Sequence, residues 1–238
     1  MKSLRCAFVA VLAIVASSVL ADRAFATVLA TAAGSSTGFT LTHDALGESA
    51  TVTGSITEYP QFSQLQDNAL GALSYNDDPN QYANFVYPGD TITYTFDTTT
   101  NRAGYDVTQI ASYAGWWDGT RSNQGYQIAL TFVNGSTATI LPQQTLSAIA
   151  NGSQWTEVVL SNQGGGVLSN NGVVASGVKA ITFSNFDYAL GSETGQYKQV
   201  MYREFDVLGS ATVPEPSTLV LVATLLAGLL AYAWRKRK

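Results

Sequence analysis

The chain has 238 residues with one cysteine and one histidine, and its 17 acidic side chains outnumber its 12 basic ones for a net charge of −5. With Cys6 the sole thiol and His43 the sole imidazole, a disulfide framework, a cysteine nucleophile, thiolate metal sites and multi-histidine zinc sites are excluded. The acidic balance also argues against nucleic acid as a partner, because a phosphate backbone requires a basic surface.

Lys2 and Arg5 precede an apolar run from Cys6 to Leu20, and Ala24-Phe25-Ala26 has the small-residue spacing of a cleavage site. This predicts a signal peptide over residues 1–26, cut by signal peptidase after Ala26, with Val28-Leu29-Ala30 as the alternative site. A permanent N-terminal anchor is the competing reading, opposed by a run shorter than the roughly 20 residues that a bilayer requires. Residues 27–212 then suit one domain. Its basic residues are Arg102, Arg121, Lys179, Lys198 and Arg203, so this segment is acidic.

Strand signals recur along this segment. Gly38 to Thr42 and Ser49 to Glu58 read as strands, and Phe62 to Leu73 as a short helix at the edge. Thr91 to Phe96 alternates, with Ile92, Tyr94 and Phe96 on one face and threonines on the other. Val107 to Ala114 is the next strand. Tyr126, Ile128, Leu130 and Phe132 repeat the two-residue period, Asn134-Gly135 suits a two-residue type I′ turn, and Thr137 to Leu141 returns as the partner. Trp155 to Leu160, Val178 to Phe183 and Val200 to Leu208 complete the set, separated by turn-rich stretches such as Asn162 to Gly166. Short strands without crossover helices predict an all-β fold, an antiparallel β-sandwich. No fixed-period repeat is present, which opposes a propeller or solenoid, and also a flat ice-ordering array built on Thr91, Thr93 and Thr95.

Between two of these strands, Tyr113 to Tyr126 concentrates aromatic, amide, acidic and cationic groups. An aromatic face stacks on the apolar side of a pyranose while polar groups bracket its hydroxyls, so Trp116, Trp117, Asp118, Arg121, Asn123 and Gln124 form a candidate carbohydrate site. The competing reading plugs one tryptophan into the core and pairs Arg121 with Asp118. Adjacent residues on a strand face opposite ways, so if one of Trp116 and Trp117 is in the core, the other is exposed. Asn76-Asp77-Asp78 offers hard oxygen ligands for a structural calcium, but the same residues start turns and the EF-hand spacing is missing. A glycosidase would draw on a carboxylate pair from Glu58, Glu157, Glu193 and Glu204, which sequence cannot pair. A serine hydrolase lacks its G-x-S-x-G elbow, and His43-Asp44 reads as a polar strand end.

At the far end, Val213-Pro214-Glu215-Pro216 leads into an uncharged run from Ser217 to Trp234 and the cluster Arg235-Lys236-Arg237-Lys238. The run approaches the length of a bilayer-spanning helix, about 217–234, with the cations held on the cytoplasmic side. A plain tail anchor has the same hydropathy. The order of motif, helix and basic end over 213–238 resembles the PEP-CTERM sorting signal of Gram-negative bacteria. That resemblance implies an exosortase that cuts near Pro-Glu-Pro, with delivery to the cell envelope or extracellular matrix.

The stretches Asn68 to Asp78, Gly89 to Asp97, Tyr105 to Ile110 and Tyr202-Arg203-Glu204-Phe205-Asp206-Val207-Leu208-Gly209 resemble the galactose-binding-like jelly roll of discoidin-type domains. This implies a sandwich over most of Ser49 to Gly209, with a final strand that pairs near the first and calcium in the loops of some members. Together these signals predict an exported, envelope-sorted binding protein without catalytic residues, with extracellular polysaccharide as its ligand. The alternatives are a structural matrix protein with no small ligand and, third, a glycan-active enzyme.

Overall fold

The computed structural model describes residues 27–33, 39, 41, 45–58, 60–70, 84–116, 119, 121–145, 154–161, 172–187, 199–213 and 218–235. The leader, His43-Asp44, and residues 71–83 lie outside this set.

Among the described residues, ten antiparallel strands form one sheet that curls on itself. They are β1 (Thr27–Ala33), β2 (Thr51–Ser55), β3 (Asn84–Val86), β4 (Thr91–Thr95), β5 (Tyr105–Gly115), β6 (Gly125–Phe132), β7 (Thr137–Thr145), β8 (Trp155–Ser161), β9 (Ala175–Ser184) and β10 (Val200–Ala211). Pairing runs β1-β8-β5-β10-β3 in one layer and β2-β4-β9-β6-β7 in the other. The layers join where Tyr105 and Val107 of β5 pair with Val178 and Ala175 of β9. This is the expected antiparallel sandwich, made by folding a continuous sheet.

Alternation explains the core. Ile92, Tyr94 and Phe96 are buried, and the threonines between them are half-exposed. Tyr94, Tyr126, Phe183, Phe186, Tyr202 and Phe205 fill the space between the layers, with the Phe183 and Phe205 rings 4.4 Å apart. Each such ring contributes roughly 1.5–3 kcal/mol by leaving water. Two of the hydroxyls have clear partners: Tyr94 donates to the Leu65 carbonyl at 2.5 Å, and Tyr126 shares a 2.7 Å hydrogen bond with Ser112.

Several local expectations are corrected. The hairpin between β6 and β7 does form, but Asn134-Gly135 is not a type I′ turn. Gly135 donates to Phe132 and Phe132 donates to Ser136, each at 2.9 Å, with Gly135 alone at positive φ, +81°. That is a type I turn closed by a glycine bulge, whose left-handed residue comes after the turn. The Asn134 side chain occupies itself with the Ser136 N–H at 2.9 Å. The helix expected over 62–73 is a 3-10 turn, Phe62–Leu65, without a side-chain cap, and the chain breaks at Asn68, whose φ is +56°. Phe39 and Leu41 belong to no strand; they pack on the outer face of β5 and β8 against Leu70, Ala111, Tyr113 and Trp155. A short helix, Ala45–Glu48, and strands β1 and β3 were not expected from the sequence.

Candidate functional site

Strand β5 ends at Gly115, where a close approach sets the path of the chain. A Cβ on Gly115 would overlap the ring of buried Trp155, so only glycine lets the strand end lie on that indole. The Arg203 guanidinium covers Trp155 at 5.6 Å from the ring centre, and its Nε donates to the Gly115 carbonyl at 3.3 Å. Trp155 is therefore the core tryptophan, and the chain leaves the sheet at Trp116.

Trp116 is half-buried. Its N–H is held by the Gln154 carbonyl at 3.0 Å and the Ser122 hydroxyl at 3.2 Å. Its ring meets Phe85 edge-on at 5.8 Å, and the Arg121 guanidinium lies 4.7 Å from the indole and 5.3 Å from the Phe85 ring. Cation–π contact fixes Arg121 across the two rings. Met201 and half-buried Tyr87 complete the cluster beside β3. Among the described residues that strand pairs with β10, and its Phe85 makes a single further bridge to Glu58. The Tyr87 hydroxyl donates to Glu58. Its pKa is pushed up to about 12, by burial first and then by the Glu58 carboxylate, with Arg121 opposing. Asp90 ties the rim together, accepting from the Thr57 and Tyr87 N–H groups at 3.1 and 2.9 Å.

The six expected site residues separate. Trp116 and Arg121 come together. Asn123 is 5 % exposed and Gln124 is 0 % exposed, so both amides are buried beneath the loop. Gln124 instead accepts from the Ser112 hydroxyl at 2.5 Å and donates to the carbonyls of Ser112 and Thr156, both at 3.2 Å. It braces the base of the loop. Trp117 and Asp118 lie outside the described residues, and the in-out alternation argued for the tryptophan pair does not apply, because β5 has already ended. Phe85, Tyr87 and Glu58 were missed; the sequence signal for them was two aromatics, Phe85 and Tyr87, bordering the turn Pro88-Gly89.

Asn76, Asp77 and Asp78 also lie outside the described residues. Among the described residues no group of three or more His, Cys, Asp or Glu is placed to hold a metal ion. Of the four carboxylates considered for glycosidase chemistry, Glu193 is outside the described set and Glu58 belongs to Tyr87. Glu157 and Glu204 sit opposite Tyr113 on either side of β5. Tyr113 is held well above its usual range by burial, Asp206 and Glu157, and burial likewise raises Glu157 and Asp67. Glu204 and Asp206 are fully buried. Tyr113 and its two neighbours lie on the face where Phe39 packs against Tyr113 at 6.0 Å, with Glu204 buried and Glu157 half-buried.

At the other end of the chain, Thr212 is the last described residue bound to the sandwich, and a helix runs over the described residues Thr218–Arg235. Its Leu225, Leu226, Leu229, Tyr232 and Trp234 are 52–76 % exposed. At 1.5 Å per residue it measures about 27 Å against a hydrocarbon core of about 30 Å. Among the described residues no helix is long and apolar enough to cross a membrane. Pro214-Glu215-Pro216 and Lys236-Arg237-Lys238 fall outside the described set.

Residues 212–238 match the PEP-CTERM protein-sorting motif, as the order of Pro-Glu-Pro, apolar run and basic end led us to expect. No curated protein matches the chain. Among solved structures, it is similar to a two-domain protein of unknown function from Bacteroides fragilis, with 7 % identity and a TM-score of 0.43 over 75 % of this chain and 47 % of that one. It is also similar to the CBM32 of AlyQ in complex with 4,5-unsaturated mannuronic acid, with 13 % identity and a TM-score of 0.39 over 66 % of this chain and 93 % of that one. This chain thus spans about half the length of the first of these.

Proposed function

We propose that this is an exported, envelope-sorted, non-catalytic module that binds extracellular polysaccharide through Trp116, Tyr87, Arg121 and Glu58, with buried Phe85 supporting them from beneath. The carrying observation is the half-buried indole of Trp116, set at the rim by Gly115 and braced by Arg121. A half-buried aromatic surrounded by a cation, a phenol and a carboxylate has both surfaces that a pyranose requires: an apolar platform and hydrogen-bonding groups around it. Burial of Glu204 and the cover over Tyr113 support the non-catalytic reading. The sorting motif at 212–238 marks the chain for export and envelope sorting.

Processing fits the same picture. Signal peptidase cuts after Ala26, which leaves β1 whole from Thr27, whereas a cut after Ala30 would remove its first half. Before exosortase acts, the helix Thr218–Arg235 holds the chain in the membrane; its exposed leucines require an apolar surrounding, and its shortfall against the bilayer is of a size that local thinning absorbs. Residues 27–212 form the domain and 213–238 the removable signal.

The test is retention of the purified protein on immobilised extracellular polysaccharides, with and without calcium, next to Trp116→Ala. Truncating a central aromatic platform to alanine weakens binding by about tenfold or more. Retention of the variant at the level of the unaltered protein would move the site elsewhere. Absence of retention by both would favour the structural matrix reading, in which Arg121 over Trp116 is only a rim contact.

A further inference from the structure

The chain leaves the sandwich where two loops meet the start of β9. Thr212 donates its N–H to the Gly104 carbonyl at 2.9 Å and its hydroxyl to Asp106 at 2.6 Å, and the Gly177 N–H reaches that hydroxyl at 3.3 Å. Val133 in turn donates to the Gly177 carbonyl at 3.0 Å. A Cβ on Gly104, whose φ is +80°, would come within 2.7 Å of Gly177 and 2.9 Å of Val133. The loops preceding β5 and linking β6 to β7, with the start of β9, therefore close around Thr212.

This end differs from the rest of the domain. Val133 is 40 % exposed and, within the sandwich up to Thr212, is the one exposed large apolar side chain among the described residues. Val213, the residue after Thr212, is 80 % exposed. Arg102 and Lys179 are exposed at the same end of an acidic protein, where the Asp97 carboxylate accepts from Thr99 and Thr100 and that of Asp106 accepts from Thr212. Only Val213 to Ser217 separates Thr212 from the helix, a reach of about 18 Å fully extended. Two prolines in that tether restrict its backbone.

The geometry points to a membrane foot: while the helix is in place, the Gly104 and Val133 loops and the start of β9 at Gly177 rest on anionic lipid headgroups and the Trp116 end projects outward. Arg102 and Lys179 are the cations that meet the headgroups, and Val133 and Val213 the apolar groups that enter the interface. Strand β5 spans 11 residues between the two ends, about 35 Å, so the binding cluster stands clear of the surface. The inference rests on the helix being in the bilayer.

The natural chain has one cysteine, Cys6 in the leader, so single labelled positions are available. The chain carrying Cys6→Ser is purified from membranes of a host that has signal peptidase but no exosortase, with either Ser176→Cys or Pro88→Cys, both at exposed positions. Each is labelled with a fluorophore and reconstituted into phosphatidylethanolamine and phosphatidylglycerol vesicles that contain a nitroxide-headgroup quencher. The expected result is that both float with the vesicles, the label at 176 loses its fluorescence, and the label at 88 stays as bright as without quencher. Flotation with equal quenching, or with stronger quenching at 88, would overturn the foot and leave the anchor standing. Failure to float would overturn the anchor and the foot together.

Discussion

Replacing Gln124 by leucine separates a bracing role from a ligand-contacting one. The amide makes four hydrogen-bond contacts inside the fold: it accepts from the Ser112 hydroxyl at 2.5 Å, and its two N–H groups are spread over the Ser112 and Thr156 carbonyls at 3.2 Å and the Thr156 hydroxyl at 3.0 Å. Leucine fills nearly the same volume, so the cavity cost is small and the loss is that of hydrogen bonding. At a net 0.5–1.5 kcal/mol each, with two hydroxyls retaining Tyr126 and Ser122 as partners, the cost is about 3 kcal/mol. For a domain of this size that lowers Tm by roughly 6–12 °C in calorimetry. Polysaccharide retention, measured well below the new Tm, should weaken only as far as the loop at Trp116 loosens. Gln124→Glu should be worse at neutral pH, where a buried carboxylate faces two carbonyls, and should recover in acid as that carboxyl takes up a proton. A Tm shift below about 2 °C for Gln124→Leu would refute the reasoning, since it would mean that these four contacts contribute almost nothing.

Gly115→Ala forces a methyl into the Trp155 ring; overpacking of this kind costs about 1–3 kcal/mol, and tryptophan fluorescence should report the displaced ring alongside a lower Tm. Gly135→Ala meets no atom within 4 Å, so its cost is confined to the φ of +81°, about 1 kcal/mol by chemical denaturation. Glu157 has a folded pKa above its ordinary 4.5 because burial penalises the charge. Such a group stabilises fully below its unfolded pKa, and that contribution is lost as pH rises through the folded value. Lowering pH from 7 to 5 should therefore raise Tm, and Glu157→Gln should flatten that profile; an unchanged slope would remove Glu157 as its source. Tyr87 should ionise near pH 12 by ultraviolet titration, and Glu58→Gln should bring it back toward 10, because one of the causes raising it, the neighbouring carboxylate, is then gone.

How much was legible depended on whether a residue's environment is set by its neighbours in sequence. Ile92, Tyr94 and Phe96 announced both a strand and its inward face, since burial on one side leaves a two-residue period. Strand β3 left no such trace: Asn84, Phe85 and Val86 are all buried, three residues are too few for a period, and Phe85 is covered on its outer side by Trp116. Strand β1 was masked by the apolar leader before it. The burial of Gln124 was not legible because amides are usually exposed; it depends on Ser112 and Thr156, which lie on other strands. A trace existed in β5, where Ser112 shares the inner face with Ile110 and Ala114, and a lone hydroxyl in an apolar row requires a polar partner. The type I turn with its bulge shows the same limit, because Asn134-Gly135 permits more than one hairpin geometry and the pairing of Thr131 with Thr137 selects among them.

Like β5, its partner β10 runs from one end of the domain to the other. β10 begins at Val200 and Met201, against Phe85 of the aromatic cluster, and ends one residue before Thr212 and the tether. Along most of its 12 residues it pairs with β5, from Tyr202 opposite Ala114 to Ala211 opposite Tyr105. A matrix ligand held at Trp116 and an anchor pulling on Thr212 would load these antiparallel partners along their axes. Ladder hydrogen bonds lie perpendicular to the strands, so such a load shears many of them together and cannot peel them one at a time. The bulges at Tyr202/Glu204 and Leu208/Gly209 lock the register against slipping by a step. Pulling between positions 116 and 212 by single-molecule force spectroscopy should therefore require a markedly higher force than pulling between 27 and 212, where β1 is paired with β8 alone among the described strands and its end can be peeled away. Equal forces in the two geometries would mean that the β5/β10 pair is not the path along which the domain bears load.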